Sequence, residues 1–232
     1  MTDTCSALAD AFDTLTDPRQ RRGVRHPFSG LLALTFLGLL CRQCDFASIA
    51  RWAGRHYRQL KGPLGFTKPY APHATTISRA CQKFSPDEFN SALARFLTCL
   101  PGVGAACAVD GKTDKQAKDR DGDPIHVLNV FAHELKVGLT CWPVGDGKDT
   151  EAEVLKSRLG ELLEAYPSLK VLTMDAGFTQ RNLAELIVSR GRDYVMAIKD
   201  NQPNLHETAK AAFADADINK PDASTTEKVK GG

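Results

Sequence analysis

The sequence predicts an α/β protein in two parts: an all-helical first part, then a mixed sheet with covering helices. Three observations carry this. Apolar residues in the first hundred positions recur at helical spacing, whereas after Pro101-Gly102 the apolar runs shorten to strand length. Charge divides at the same point. Residues 1–100 hold thirteen Lys and Arg against seven Asp and Glu, net +6, while residues 101–232 hold seventeen against twenty-one, net −4. Finally, 232 residues with 42% hydrophobic and 25% charged side chains have a globular composition. A chain of that length buries roughly 70% of its unfolded surface. Global disorder, a collagen-like rod and a disulfide-rich miniprotein are excluded. The expected organisation is a helical, basic domain over 1–103, an α/β domain over 104–213 and a polar tail over 214–232.

In the first part, Leu31 to Leu40 is apolar on all sides, so the helix expected there is a buried one. Pro27 and Ser29 supply its start. Phe46 to Leu60 sets Ile49, Trp52, Ala53 and Leu60 on one side and Arg51, Arg55 and Arg58 largely on another. Gly62, Pro63, Gly65, Pro69 and Pro72 mark a loop, followed by a short helix over Thr76 to Phe84. Ser85-Pro86-Asp87-Glu88 is a capping box with Pro at the first helical position, and Phe89, Ala92, Leu93, Phe96 and Leu97 follow at helical spacing.

In the second part, Ala105 to Val109 reads as a strand ending at Asp110. Ile125–Ala132 and Leu135–Trp142 read as a hairpin around His133-Glu134. Thr150 to Tyr166 is helical, with Leu155, Leu159, Leu162 and Leu163 on one face. Val171 to Met174 is a strand ending at Asp175, Arg181 to Arg190 a helix stopped by Gly191, and Asp193 to Ile198 a last strand. An antiparallel meander followed by parallel strands with crossover helices is the order of the ribonuclease-H-like fold.

Asp110 and Asp175 each directly follow a predicted strand. Carboxylates at neighbouring strand ends can share a pair of Mg²⁺ ions, which prefer oxygen ligands and serve phosphoryl transfer. Against this stands the plainer reading that both are turn or N-cap aspartates. Cys41-Arg42-Gln43-Cys44 has metal-ligand spacing but no second pair. The six His are scattered, and His126 reads as a packed or exposed strand residue. Residues 18–86 hold twelve basic side chains against Asp45 alone, which points to a polyanionic partner, DNA or RNA. Arg19, Arg21, Arg22 and Arg25 are the candidate phosphate contacts, with Lys199 placed to neutralise a phosphate near the acidic site. The longest apolar run, Leu31 to Cys41, is too short to span a membrane. With seven Cys, five of them in apolar stretches, the chain reads as a free-thiol protein of a reducing cytoplasm.

These residues, taken in order, resemble the DDE-type transposases of the H-repeat-associated protein family of bacterial insertion sequences. The match runs from about residue 10 to 213. It includes Asp17-Pro18-Arg19, His26-Pro27, Pro72, Thr76 and Arg79, then Asp110-Gly111-Lys112, Asp175-Ala176, Gln180, Gly191, Asp193-Tyr194-Val195, Lys199 and Asn201-Gln202-Pro203. The resemblance implies a ribonuclease-H-like catalytic domain that cuts and joins DNA with Mg²⁺, or Mn²⁺ as a substitute. Asp110 and Asp175 match the first two acids of the family's triad, and Lys112 joins the DNA contacts. The third acid is a Glu in a His-Gly-Arg-x-Glu segment that this sequence lacks; Glu207 and Glu227 sit outside that motif. The expectation is therefore a carboxy-terminally truncated, impaired enzyme. Its partners would be insertion-sequence ends and a second copy in a homodimer, with neither a membrane nor a small-molecule substrate. Its place would be the bacterial cytoplasm, on the nucleoid when bound to DNA. A non-catalytic DNA-binding remnant and a two-carboxylate nuclease are the alternatives.

Overall fold

A computed structural model describes residues 2–20, 22–82, 84–118, 122–145, 150–200 and 202–214. Five helices come first: α1 (Thr2–Phe12), α2 (Phe28–Leu40), α3 (Phe46–Leu60), α4 (Ala74–Cys81) and α5 (Pro86–Thr98). Then follow β1 (Ala106–Lys118), β2 (Pro124–Ala132), β3 (Gly138–Pro143), α6 (Glu151–Ala165), β4 (Val171–Met174), α7 (Arg181–Ser189), β5 (Asp193–Met196) and α8 (Pro203–Phe213).

The helical part is held by caps and by one apolar face per helix. Asp45 caps α3 in a reciprocal box with Ser48, accepting from the Ser48 amide at 2.7 Å while the Ser48 hydroxyl receives the Asp45 amide. Ile49, Ala53 and Leu60 form the buried face of α3 as the sequence predicts, joined by Tyr57, which was not expected there, while Trp52, expected on that face, is half-buried. In α5 the Ser85 hydroxyl accepts from the Glu88 amide, but the reciprocal half of the predicted box is absent. The Glu88 carboxylate instead takes the Thr16 amide at 2.9 Å, tying α5 to the end of α1.

Two expectations for the helical part need correction. α2 is not buried along its whole length; its first two turns and Gly38 are buried, but Leu39 and Leu40 are 55% and 56% exposed. Gly38 in the last turn stays packed on α3, where an added Cβ would stand 3.0 Å from Ile49, so the exposure is confined to the two residues that follow. α1 was not anticipated, although Leu8 and Phe12 are fully buried against α2 and α5.

The five-stranded sheet has the order β3-β2-β1-β4-β5. β1, β2 and β3 form the predicted antiparallel meander, and β4 and β5 run parallel to β1. Along β1 and β4 the inward set is Cys107, Val109, Leu172 and Met174, all buried. It meets Leu155, Leu159 and Leu162 of α6 within one continuous apolar cluster that also takes in α1 to α5. Tyr166, at the end of α6, buries its ring and donates its hydroxyl to the Leu139 carbonyl at 2.8 Å.

A third correction concerns β1. It does not end at Asp110 but runs to Lys118, paired with β2 down to Lys118↔Pro124 with an irregularity after Asp114. Past Val109 the sequence turns polar, so no apolar signal marks the continuation; the backbone ladder to β2 holds it. The predicted tail over 214–232 lies outside the described residues except for Ala214.

Candidate active site

The site begins with strand register. Val109 of β1 pairs in parallel with Met174 of β4, the last registered pair before β4 ends. The next residues on the two chains are Asp110 and Asp175, on strands spaced about 4.8 Å apart. Successive strand residues alternate between faces. With Val109 buried, Asp110 leaves β1 on the opposite face, alongside Ala108 and Thr173. Asp110 is exposed and has no hydrogen-bond or ion-pair partner among the described residues. It is a mid-strand residue, marked not by the end of its own strand but by the end of its parallel neighbour.

Asp175 does terminate its strand, and it is also an N-cap. Its carboxylate accepts from the Gly177 amide at 2.8 Å and starts a single 3₁₀ turn over Ala176–Phe178. The plain reading of Asp175 is therefore correct as geometry, and it does not compete with the chemical one. The hydrogen bond fixes a carboxylate that remains exposed.

A cavity of about 620 Å³ opens beside Asp175 and brings in residues from the far end of the chain. Lys199, predicted at this site, lines it together with Asp200 and His206. His206 Nδ1 and Asp200 Oδ1 lie 2.8 Å apart. Thr179 donates its hydroxyl to the Ala197 carbonyl at 2.8 Å, and the Gln202 side-chain amide donates to the Thr179 carbonyl. These bonds tie the start of α8 to the turn after Asp175. Sequence reasoning missed Asp200, His206 and α8 itself. The available signal was Pro203, which occupies the first helical turn where its missing N–H costs nothing.

On the other face of the sheet, the Glu151 carboxylate lies directly over Gly111, so that a Cβ there would overlap it. Glu151 sits 2.8 Å from His126 Nε2, and His126 Nδ1 is 2.7 Å from the Thr113 hydroxyl. This chain of contacts pins the first turn of α6 to the β1–β2 pair one residue beyond Asp110. His126 is thus a packed, partnered residue. Cys107, on the inward side of β1, has its thiol pushed up to about 12 by burial and is inert at neutral pH.

The remaining candidates separate. Lys112 is exposed, two residues beyond Asp110 and so on the same face of β1. Arg19 is already engaged: its guanidinium grips Asp17 at 2.8 and 2.9 Å and reaches the His26 carbonyl at 3.1 Å. Arg22 and Arg25 are exposed and have no carboxylate partner among the described residues, and Arg21 lies outside those residues. Cys41 and Cys44 are exposed free thiols. Among the described residues no three His, Cys, Asp or Glu are grouped to hold a metal ion. As donors, Asp110 and Asp175 are hard carboxylate oxygens of the kind that Mg²⁺ and Mn²⁺ take, and together they could offer such an ion two ligands. No described helix is long and apolar enough to cross a membrane.

Residues 9–97 match the family described as DDE_Tnp_1-associated. Over 221 residues the chain is 28% identical to the Escherichia coli K12 protein named "Putative protein YbfL", covering 93% of this chain and 57% of that one. It is 27% identical over 221 residues to the "H repeat-associated putative transposase YhhI" of the same organism, with the same coverage. To "H repeat-associated putative transposase YbfD" it is 26% identical over 220 residues, covering 92% of this chain and 84% of that one. The resemblance to H-repeat-associated transposases therefore stands across nearly the whole chain, and the chain spans 57% of the length of YbfL and YhhI.

Proposed function

We propose that this chain acts on DNA as an insertion-sequence transposase of the DDE type, with the sheet over 104–213 as a ribonuclease-H-like catalytic domain and 1–103 as a helical DNA-binding domain. The observation that carries the reading is the register of β1 and β4, which sets Asp110 and Asp175 side by side. The sheet order and the similarity to H-repeat-associated relatives support it.

In this reading Asp110 and Asp175 hold Mg²⁺, or Mn²⁺ in its place, on the open face of the sheet. When bound, such ions activate the attacking water or hydroxyl and stabilise the leaving oxygen. Gly177 orients Asp175 through its amide. Lys199 and Lys112 offset phosphate charge on either side of the acid pair. The packing of Glu151 on Gly111 holds the β1 backbone beneath the site.

Two carboxylates fix the metal less firmly than three. Asp200, the further described acid in the wall of the cavity beside Asp175, is engaged with His206 at 2.8 Å. Loss of one charge-stabilising group commonly costs about 10²–10³ in rate, so with two carboxylates at the site among the described residues we infer slow strand cleavage.

The test is a nicking assay on duplex DNA carrying insertion-sequence ends, with Mg²⁺ and with Mn²⁺. Slow metal-dependent nicking, lost in both Asp110→Asn and Asp175→Asn, is the expected result. DNA binding with no metal-dependent nicking would favour a non-catalytic DNA-binding protein. Nicking that survives both substitutions would place the chemistry elsewhere.

A further inference from the structure

A second concave site lies in the helical part, between residues 19–20 and 22–26, ahead of α2, and residues 70–79, which run into α4. Its volume is about 690 Å³, within the range that holds a small ligand. Arg22, Arg25 and Arg79 line it, all exposed and none with a carboxylate partner among the described residues. Among the described residues no acidic side chain is part of its wall. The two segments are far apart in sequence, so the fold itself brings the three guanidinium groups together.

The floor is built rather than incidental. Arg19 lines the pocket too, but its charge is met by Asp17, and with its bond to the His26 carbonyl it braces the loop. Its guanidinium also stands 5.4 Å over the Phe28 ring. His26 is 3% exposed and packs edge-on against Phe66 and Tyr70 at 5.4 and 6.0 Å. Its Nδ1 is buried without a hydrogen-bond partner. Burial, with Arg19, Lys68 and Arg25 nearby, pushes its pKa down and keeps the ring neutral. Tyr70, held by that ring, is 49% exposed in the pocket wall.

Guanidinium forks match phosphate oxygens bidentately. An exposed aromatic ring offers a face to a base, but only to one that is unpaired, because bases in a regular duplex are already stacked. We propose that this pocket is a nucleotide subsite that takes one unpaired nucleotide of a DNA strand, its phosphate on Arg22, Arg25 and Arg79 and its base against Tyr70. The inference rests on the reading of the chain as a DNA-acting protein and adds a strand-end or unpaired-base preference to it.

The experiment uses the full chain and fluorescence anisotropy at low salt. The probes are a blunt duplex and the same duplex with a short single-stranded overhang. The overhang should bind about tenfold tighter, on the scale of one stacked base with its phosphate. Tyr70→Ala should abolish that preference while leaving blunt-duplex binding within about threefold, Tyr70→Phe should retain it, and Arg79→Ala should abolish it while also weakening both probes through the lost phosphate contact. Circular dichroism confirms that each variant is folded; should Tyr70→Ala fail to fold, Tyr70→Leu, which keeps an apolar side chain but offers no ring face, carries the same comparison. Equal affinity for both probes, or a preference that survives Tyr70→Ala, overturns the subsite while leaving DNA binding intact. No binding to either probe overturns the subsite and the DNA reading together. Displacement of the overhang by sub-millimolar free deoxynucleoside monophosphate reassigns the pocket to a free nucleotide and overturns the strand assignment.

Discussion

The two parts of this molecule handle charge in opposite ways. In the sheet part, acids and bases largely meet each other along helices: Lys156 with Glu153, Arg158 with Glu161, Arg181 with Glu185, Lys210 with Glu207. In the helical part, Arg19 is the one described Lys or Arg before residue 100 with an ion-pair partner, and that partner is Asp17. Arg22, Arg25, Arg51, Arg55, Arg58 and Arg79 carry charge that the fold does not neutralise. Exposed ion pairs add little to stability in any case. The difference is therefore less about what holds the chain together than about what each surface is free to meet. The sheet part has its own unpaired cations, and two of them, Lys112 and Lys199, flank the acid pair.

The largest effect expected from this contrast is the salt dependence of DNA binding. Unpaired cations that neutralise six or more phosphates lose about 10³ in affinity between 50 and 200 mM salt. Titrations of the whole chain with duplex DNA at four salt concentrations give the slope, and a flat line would mean that the unpaired arginines are only a solvated surface.

Gly111→Ala breaks the contrast from the sheet side. There the charged cluster has a structural task, since Glu151 and His126 pack over a residue without a side chain. An added Cβ forces the Glu151 carboxylate away, at a cost of about 1–3 kcal/mol. Urea denaturation measures it, and His126→Ala should remove part of the added penalty because the pair is already broken.

Charge reversal sharpens the same point. Arg51→Glu with Arg55→Glu should weaken duplex binding about tenfold at 100 mM salt, by removal of two phosphate contacts. The melting temperature should move by no more than about 2 °C. Arg181→Glu, which breaks a helix pair in the sheet part, should change DNA affinity by less than about twofold.

How much of this was legible in the sequence follows from what each residue's signal was. α3 and α6 were readable to within a residue because Ile49, Trp52, Ala53 and Leu60, and Leu155, Leu159, Leu162 and Leu163, write a helical face directly. The strand Val171–Met174 was equally plain, being a short apolar run stopped by Asp175. The second half of β1 was not, because Asp110 to Asp114 is polar and its pairing comes from β2 rather than from burial. Asp110 and Asp175 could each be picked out, and the predicted strand order already made them neighbours; the exact register that aligns them is what no local pattern contains. His206 and the pocket formed by Arg79 and Tyr70 were beyond reach for the same reason: each depends on segments the chain brings together only on folding.

The smallest predicted effect is a pH dependence from His26. Burial depresses its folded pKa below the ordinary value of about 6.5, so the fold prefers the neutral ring. The stability it contributes is complete above that value and is lost as pH falls through it toward the folded pKa. Thermal melts from pH 8 to pH 5.5 should show a decline of a few degrees, on the scale of about 1 kcal/mol in a domain of this size. The decline should be flatter in His26→Leu.

The central claim, that strand register makes a metal site of Asp110 and Asp175, is tested most directly by Mn²⁺ binding measured through water-proton relaxation. The account predicts a bound ion in the wild-type chain. Its affinity should fall at least about tenfold in Asp110→Asn and in Asp175→Asn alike, as expected when one of two charged oxygen ligands is removed. It should be unchanged in Glu151→Gln, whose carboxylate lies on the opposite face. Wild-type affinity in both aspartate variants, or a loss confined to Glu151→Gln, would contradict it.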